Sequence, residues 1–157
     1  MVKYLFRGRR LDNRQLVYGL PFSYHASNVI EGIETWDGER HPIDPETVGM
    51  CSGIPDKNGK PIYEGDIVLA KRLKSHGGRA TVGVAVFQNG TFKLKILADE
   101  GSPEENDFRM IADLRMEIKK QQHDFYAIEN NFIFRGYNLE VIGNVGDNPE
   151  LLEEAYE

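Results

Sequence analysis

The sequence is short of the residues from which covalent and metal-bound sites are built. Of its 157 residues one is cysteine, Cys51, so no internal disulfide can form. The four histidines, His25, His41, His76 and His123, stand apart, with no His-x-x-x-His pair and no carboxylate at ligand spacing on a shared predicted element. A metal centre is therefore not expected, nor any cofactor. The glycine patterns of nucleotide-binding loops and the strand-turn-helix serine motif of hydrolases are missing too. No run approaches the roughly 20 apolar residues needed to cross a bilayer as a helix. Lys3, Arg7, Arg9, Arg10 and Arg14 break up the opening segment where a secretory leader would need an apolar stretch. The expectation is a cytoplasmic protein with no membrane partner. Fixed-period repeats and low-complexity tracts are lacking as well.

What is present is ordinary for a globular chain, with 40% hydrophobic and 28% charged residues. A chain of this length buries roughly 70% of its unfolded surface and folds without a staple. The net charge of −6 is uneven. Residues 1–60 carry eight cations and eight anions, residues 61–100 six and four, and residues 101–157 five and thirteen. A polyanion would be repelled by the last third and would have to use the remainder.

Strand signals dominate. Lys3-Tyr4-Leu5-Phe6-Arg7 and Gln15-Leu16-Val17-Tyr18 flank a turn at Asp12-Asn13 and predict an N-terminal hairpin. Prolines at 21, 42 and 45 predict only short strands between residues 20 and 46. Asp56-Lys57-Asn58-Gly59-Lys60 reads as a turn, with Asp56 bonding back to the backbone. Ile67-Val68-Leu69-Ala70 reads as a buried strand. Between residues 80 and 97 the alternating valines and the series Phe92, Leu94, Ile96 predict a hairpin. A three-residue loop, Gln88-Asn89-Gly90, keeps Lys93 and Lys95 off the valine face and pairs Val86 with Phe92, Val84 with Leu94 and Val82 with Ile96.

Ser102-Pro103-Glu104-Glu105 has the form of a helix start, and Phe108, Ile111, Leu114 and Ile118 follow at helical spacing, predicting an amphipathic helix over residues 103–122. Strands are predicted again at Phe132-Ile133-Phe134 and Leu139–Gly143, and Asn148-Pro149-Glu150 opens a short C-terminal helix.

Two stretches are more specific than these patterns: Thr47-Val48-Gly49-Met50-Cys51-Ser52-Gly53-Ile54-Pro55-Asp56-Lys57-Asn58-Gly59-Lys60-Pro61-Ile62-Tyr63-Glu64-Gly65-Asp66-Ile67-Val68, and Leu139-Glu140-Val141-Ile142-Gly143-Asn144-Val145-Gly146-Asp147-Asn148-Pro149-Glu150-Leu151-Leu152. With Phe6-Arg7-Gly8 and Val17-Tyr18-Gly19 they resemble the YopX family of bacteriophage and prophage proteins. The chain departs from the family pattern at Met50-Cys51-Ser52, in place of a glutamine, an aromatic and a threonine, and carries an enlarged segment near residues 100–131. The resemblance implies a mostly β fold with an SH3-like β-barrel and a place in a bacterial host cell, and it implies no activity. The expected organisation is an N-terminal β region over residues 1–60, the barrel over 61–146 with a helical insertion at about 101–131, and a helical tail over 147–157.

Candidate chemistry is thin. Cys51 beside Ser52 and Gly53 reads as a small packing residue. Glu64 and Asp66, two apart, have the spacing of a carboxylate pair but span a turn and read as the polar end of a strand. Two basic clusters remain, Arg7-Arg9-Arg10-Arg14 and Lys71-Arg72-Lys74-His76-Arg79. The leading expectation is a non-enzymatic accessory protein that binds a host or phage protein. Its candidate partner-binding residues are Lys71, Arg72, Lys74 and Arg79 in the basic loop and Phe108, Ile111 and Leu114 on the predicted helix. The alternatives are nucleic-acid binding through the loop Lys71–Arg79, and an enzyme assembled from distant residues, with Asp66, Glu64, Cys51 or a histidine in one pocket.

Overall fold

The computed structural model of the protein describes residues 5–25, 28–72, 80–100, 125–128 and 137–152. These form ten strands and the first turn of a C-terminal helix, arranged in two compact units, Met1–Ile54 and Pro55–Glu157. The mostly β expectation holds.

In the first unit β1 (Phe6–Arg10) and β2 (Leu16–Phe22) make the predicted hairpin, with Phe6 opposite Gly19 and Gly8 opposite Val17. Its turn is closed by Arg10 N–H donating to the Gln15 carbonyl at 2.9 Å and by Gln15 N–H donating to Asn13 Oδ1 at 3.0 Å. β3 (Gly32–Glu34) pairs with β2, β4 (Arg40–Pro55) pairs with β3, and β1 uses its other edge to pair with β4. Val17, Ile33 and Ile43 alternate inward from three of these strands and meet Phe6, Ile30 and Val48. Burying an aliphatic side chain of this kind contributes about 1.5–3 kcal/mol.

The 16-residue β4 corrects the expectation of short strands through residues 20–46. Proline removes a ladder donor, and β4 places Pro42 and Pro45, two of its three prolines, where none is needed. Pro42 contributes only its carbonyl, which accepts from Leu11 N–H at 3.2 Å. Pro45 falls in a bulge: the β1 register jumps from Arg9 opposite Asp44 to Arg7 opposite Gly49. Thr47 fills the gap, its hydroxyl accepting from Arg9 N–H at 2.8 Å and donating to the Asp44 carbonyl at 2.7 Å.

In the second unit, β5 (Pro61–Tyr63) is followed by an antiparallel sheet of β6 (Asp66–Arg72), β7 (Ala80–Gln88), β8 (Thr91–Glu100), β9 (Phe125–Ala127) and β10 (Tyr137–Asn144), in the order β10-β6-β7-β8-β9. The predicted buried strand is β6, whose first five residues are all buried. Ile67, Leu69, Ala80, Val82, Val84 and Leu97 form the core with Leu151 of the C-terminal turn.

The β7-β8 register corrects the predicted one. Val86 stands opposite Lys93, Val84 opposite Lys95, and Phe87 opposite Phe92. Asn89 and Gly90 both take positive φ, 52° and 79°, which defines the two-residue primed turn that Asn-Gly favours. The prediction overweighted the lysines. Their stems can lie along the valines while the ammonium groups reach water, so charge on that face costs little. A bulge between Val82 and Gly83 then leaves Leu97 as the extra β8 residue, and Leu97 joins the valine core.

The insertion expected to be helical at about 101–131 contains β9, paired to β8 through Lys93 opposite Ala127. The predicted helix over residues 103–122 and the strand at 132–134 lie outside the described residues. The C-terminal helix begins as predicted, with Leu151 and Leu152 N–H donating to the Asn148 and Pro149 carbonyls. Among the described residues no helix is long and apolar enough to cross a membrane.

Candidate functional site

The two stretches that carry the resemblance meet in the second unit, and their polar residues are spent on backbone. Asp56 is buried, and its Oδ1 accepts from Asn58 N–H at 2.8 Å and Lys60 N–H at 2.9 Å, closing the predicted turn. Its Oδ2 accepts from Val141 N–H at 3.1 Å, 85 residues away. Lys57 N–H donates to the Leu139 carbonyl at 2.7 Å, and Lys57 Nζ pairs with Glu140 at 2.7 Å. The turn thus occupies the edge of β10 that β6 leaves open, which is how an edge strand is kept from pairing with another chain.

Asp66 is buried at 1% exposure and accepts from Tyr63 N–H at 2.8 Å, so it clasps the turn between β5 and β6. Gly65 fixes that turn on both sides, donating to the Ala85 carbonyl at 2.8 Å and accepting from Val145 N–H at 2.9 Å. Glu64 and Asp66 are thereby separated in role, and the carboxylate pair resolves into a clasp and a neighbouring side chain. Cys51 is buried, and its sulfur accepts from Gly53 N–H at 3.4 Å. His25 lies 3.4 Å from Glu31 and His41 3.4 Å from Glu39. His76 and His123 lie outside the described residues. Among the described residues no three His, Cys, Asp or Glu side chains are grouped to hold a metal ion.

Of the candidate partner-binding residues, Lys71 and Arg72 end β6, half-buried. The Arg72 guanidinium stands 5.9 Å from the centre of the Tyr137 ring, and its Nε is buried with no hydrogen-bond acceptor among the described residues. Lys74, Arg79, Phe108, Ile111 and Leu114 lie outside the described residues. The N-terminal arginines are committed within their own unit. Arg7 is buried, Arg9 donates to the Arg14 carbonyl at 3.0 Å, Arg10 pairs with Asp12, and Arg14 pairs with Asp44 at 3.0 Å. The Arg10 contact holds the Asp12 carboxyl below the usual carboxylate range.

The sequence reading missed the outer face of the first unit. Pairing Leu20 with Glu34 and Arg40, and Phe22 with Gly32 and Pro42, puts these residues on the side of β2-β3-β4 opposite Ile33. The Phe22 ring lies over Gly32, where a Cβ would overlap it. Tyr24 packs edge-on against Phe22 with centroids 4.9 Å apart, and the Arg40 guanidinium sits 5.0 Å from the Phe22 centroid. Arg40 is held by Glu34 at 2.7 Å. Glu31 fixes the Tyr24 segment, its Oε2 accepting from Tyr24 N–H at 2.8 Å and from the Ser23 hydroxyl at 3.0 Å. Those two donors, the amide first, hold the Glu31 carboxyl below its ordinary value.

Leu20 and Tyr24 are more than half exposed, and Trp36, in the turn joining β3 to β4, is 84% exposed. Six of the eight large apolar side chains exposed among the described residues belong to the first unit, so the apolar surface is concentrated there. The signal was available in the alternation of Leu20, Phe22 and Tyr24, which the prolines of this region masked.

Among solved structures the chain is similar to protein EF1440 from Enterococcus faecalis, at 23% identity and a TM-score of 0.49, over 98% of this chain and 100% of that one. No curated protein matches it. The YopX protein family does match, over residues 6–153, nearly the full length and including both signature stretches, and the chain belongs to that family.

Proposed function

We propose that the protein is a non-enzymatic phage or prophage accessory module that works by binding another protein in the bacterial cytoplasm. The observation that carries this reading is the outer face of the first unit. Leu20, Tyr24 and Trp36 expose aromatic and aliphatic surface, and the half-buried Phe22 ring lies under the Arg40 guanidinium. Aromatic and arginine side chains dominate protein-binding hot spots, and an ordered apolar patch on a stable scaffold is a common form of such a site. The signature carboxylates Asp56 and Asp66 are committed to backbone amides, which favours a structural role for them over a catalytic one.

In this reading the second unit is the SH3-like part. A meander of β6 to β9 with β10 returning beside β6 is a connectivity from which a small barrel closes. Its part is to carry the inserted segment, whose Phe108, Ile111 and Leu114 would add a second apolar contact.

Capture of partners by the tagged full chain from host lysate, with and without nuclease, tests the class of partner. A defined protein retained after nuclease treatment is the expected result. Recovery that disappears with nuclease would replace this reading by nucleic-acid binding through Lys71, Arg72, Lys74 and Arg79, with affinity falling steeply as salt is added.

A further inference from the structure

We infer that Asn89 is a site of spontaneous covalent modification, its side-chain amide being displaced by the neighbouring Gly90 nitrogen and water to leave aspartate or isoaspartate at the tip of the β7-β8 hairpin. The reaction needs no partner and is independent of the protein-binding reading. An asparagine amide is attacked by the next backbone nitrogen, which gives up its proton as the new N–Cγ bond forms. The Cγ–Nδ2 bond breaks and ammonia leaves with that proton. One water then opens the five-membered imide at either of its carbonyls, giving aspartate or, with the main chain rerouted through the side chain, isoaspartate. Glycine favours the attack because no Cβ shields its nitrogen.

The chain has three places where an Asn or Asp precedes glycine: Asp37-Gly38, Asn58-Gly59 and Asn89-Gly90. A Cβ at any of the three glycines would meet nothing within 4 Å, so crowding does not distinguish them. Hydrogen bonding does. Gly38 N–H donates to the Thr35 carbonyl at 2.9 Å, and the Asp37 carboxylate is held by the Thr35 hydroxyl. Gly59 N–H donates to the Asp56 carbonyl at 3.0 Å, inside the turn that the buried Asp56 carboxylate ties to Asn58, Lys60 and Val141. Gly90 N–H has no acceptor among the described residues, since the turn is closed by its flanking pair, Gln88 and Thr91. Asn89 and Gly90 are both exposed to water. Attack at Asn58 therefore needs several bonds to open first, and attack at Asn89 only a rearrangement within the tip. The aspartate product keeps a turn that Asp-Gly also favours, whereas isoaspartate adds a methylene to the main chain and breaks the match between loop and register.

The folded full-length protein is incubated in mildly alkaline buffer, digested, and followed by mass spectrometry for a gain of about 1 Da per converted amide, beside the same chain held unfolded in urea. In the folded protein Asn89 should convert about tenfold faster than Asn58, the scale of the hydrogen bonds that hold the Gly59 turn, and in urea the two should convert at similar rates. The separated products give a second readout. The isoaspartate form should have a lowered urea midpoint and the aspartate form the native one. Asn58 as reactive as Asn89 in the folded chain, or a folded Asn89 that stays unconverted while the unfolded chain reacts, would overturn the inference. A rate ratio in urea equal to the folded one would also overturn it, because the contrast would then come from the neighbouring sequence and not from the turns.

Discussion

Val141 N–H donates to Asp56 Oδ2 at 3.1 Å, joining a turn near the start of the second unit to its last strand across 85 residues of chain. The same carboxylate receives Asn58 and Lys60, so one buried side chain satisfies three amides. An Asp56→Ala variant should lose about 3 kcal/mol, because buried donors left unpaired cost about 1–3 kcal/mol each and part of the loss is recovered by water. Urea unfolding followed by circular dichroism would show a lowered midpoint, with little change in slope.

The hairpin at Asn89-Gly90 offers a test of register. The structure pairs Phe87 with Phe92, next to the Gln88-Thr91 pair that closes the turn. In a two-residue hairpin that position is a close, non-hydrogen-bonded pair, so a strong Hα–Hα NOE between Phe87 and Phe92 is expected. A Val86-Phe92 contact in its place would restore the three-residue loop. Gly90→Val, which forces a β-branched side chain to φ 79°, should destabilise by roughly 1–2 kcal/mol.

Glu31 makes stability depend on acid. Its folded pKa lies below the ordinary value of 4.5, so its contribution is present above that value and disappears as pH falls through the folded one. Glu31→Gln should therefore flatten the fall in urea midpoint measured from about pH 6 to about pH 3. Asp12, Asp37 and Asp44 are lowered as well, so a residual slope remains in the variant.

Gly32→Ala separates the aromatic arrangement from overall stability. A Cβ there meets the far end of the Phe22 ring, a side chain that can swing into solvent. The expected loss is under about 1 kcal/mol, the scale of a relieved contact. The Tyr24 ring resonances should nevertheless move, because the edge-on packing at 4.9 Å is lost.

Much of the fold was legible because local signals agreed: the Asp12-Asn13 hairpin, the Asp56–Lys60 turn, the buried strand at Ile67–Ala70 and the strand at Leu139–Gly143 all formed. The β7-β8 register was not, because β7 is buried on both faces from Ala80 to Ala85 and alternation then carries no information about which face is inner. The length of β4 was hidden by Pro42 and Pro45, whose tolerance depends on a carbonyl contact from Leu11 and a Thr47-filled bulge, both long-range. The apolar outer face was hidden for a related reason. It is assembled across three strands, with Arg40 brought over Phe22 from 18 positions away.

The central claim, that the signature residues hold the fold while the outer face of the first unit binds a protein, is tested most directly by comparing nuclease-treated capture by the native chain and by a Leu20→Ser, Trp36→Ala double variant. Both side chains are largely exposed, so the urea midpoint should stay within about 0.5 kcal/mol of native, as for ordinary surface substitutions. Loss of the captured protein with that midpoint preserved is the predicted result. Undiminished capture by the folded double variant would contradict the account.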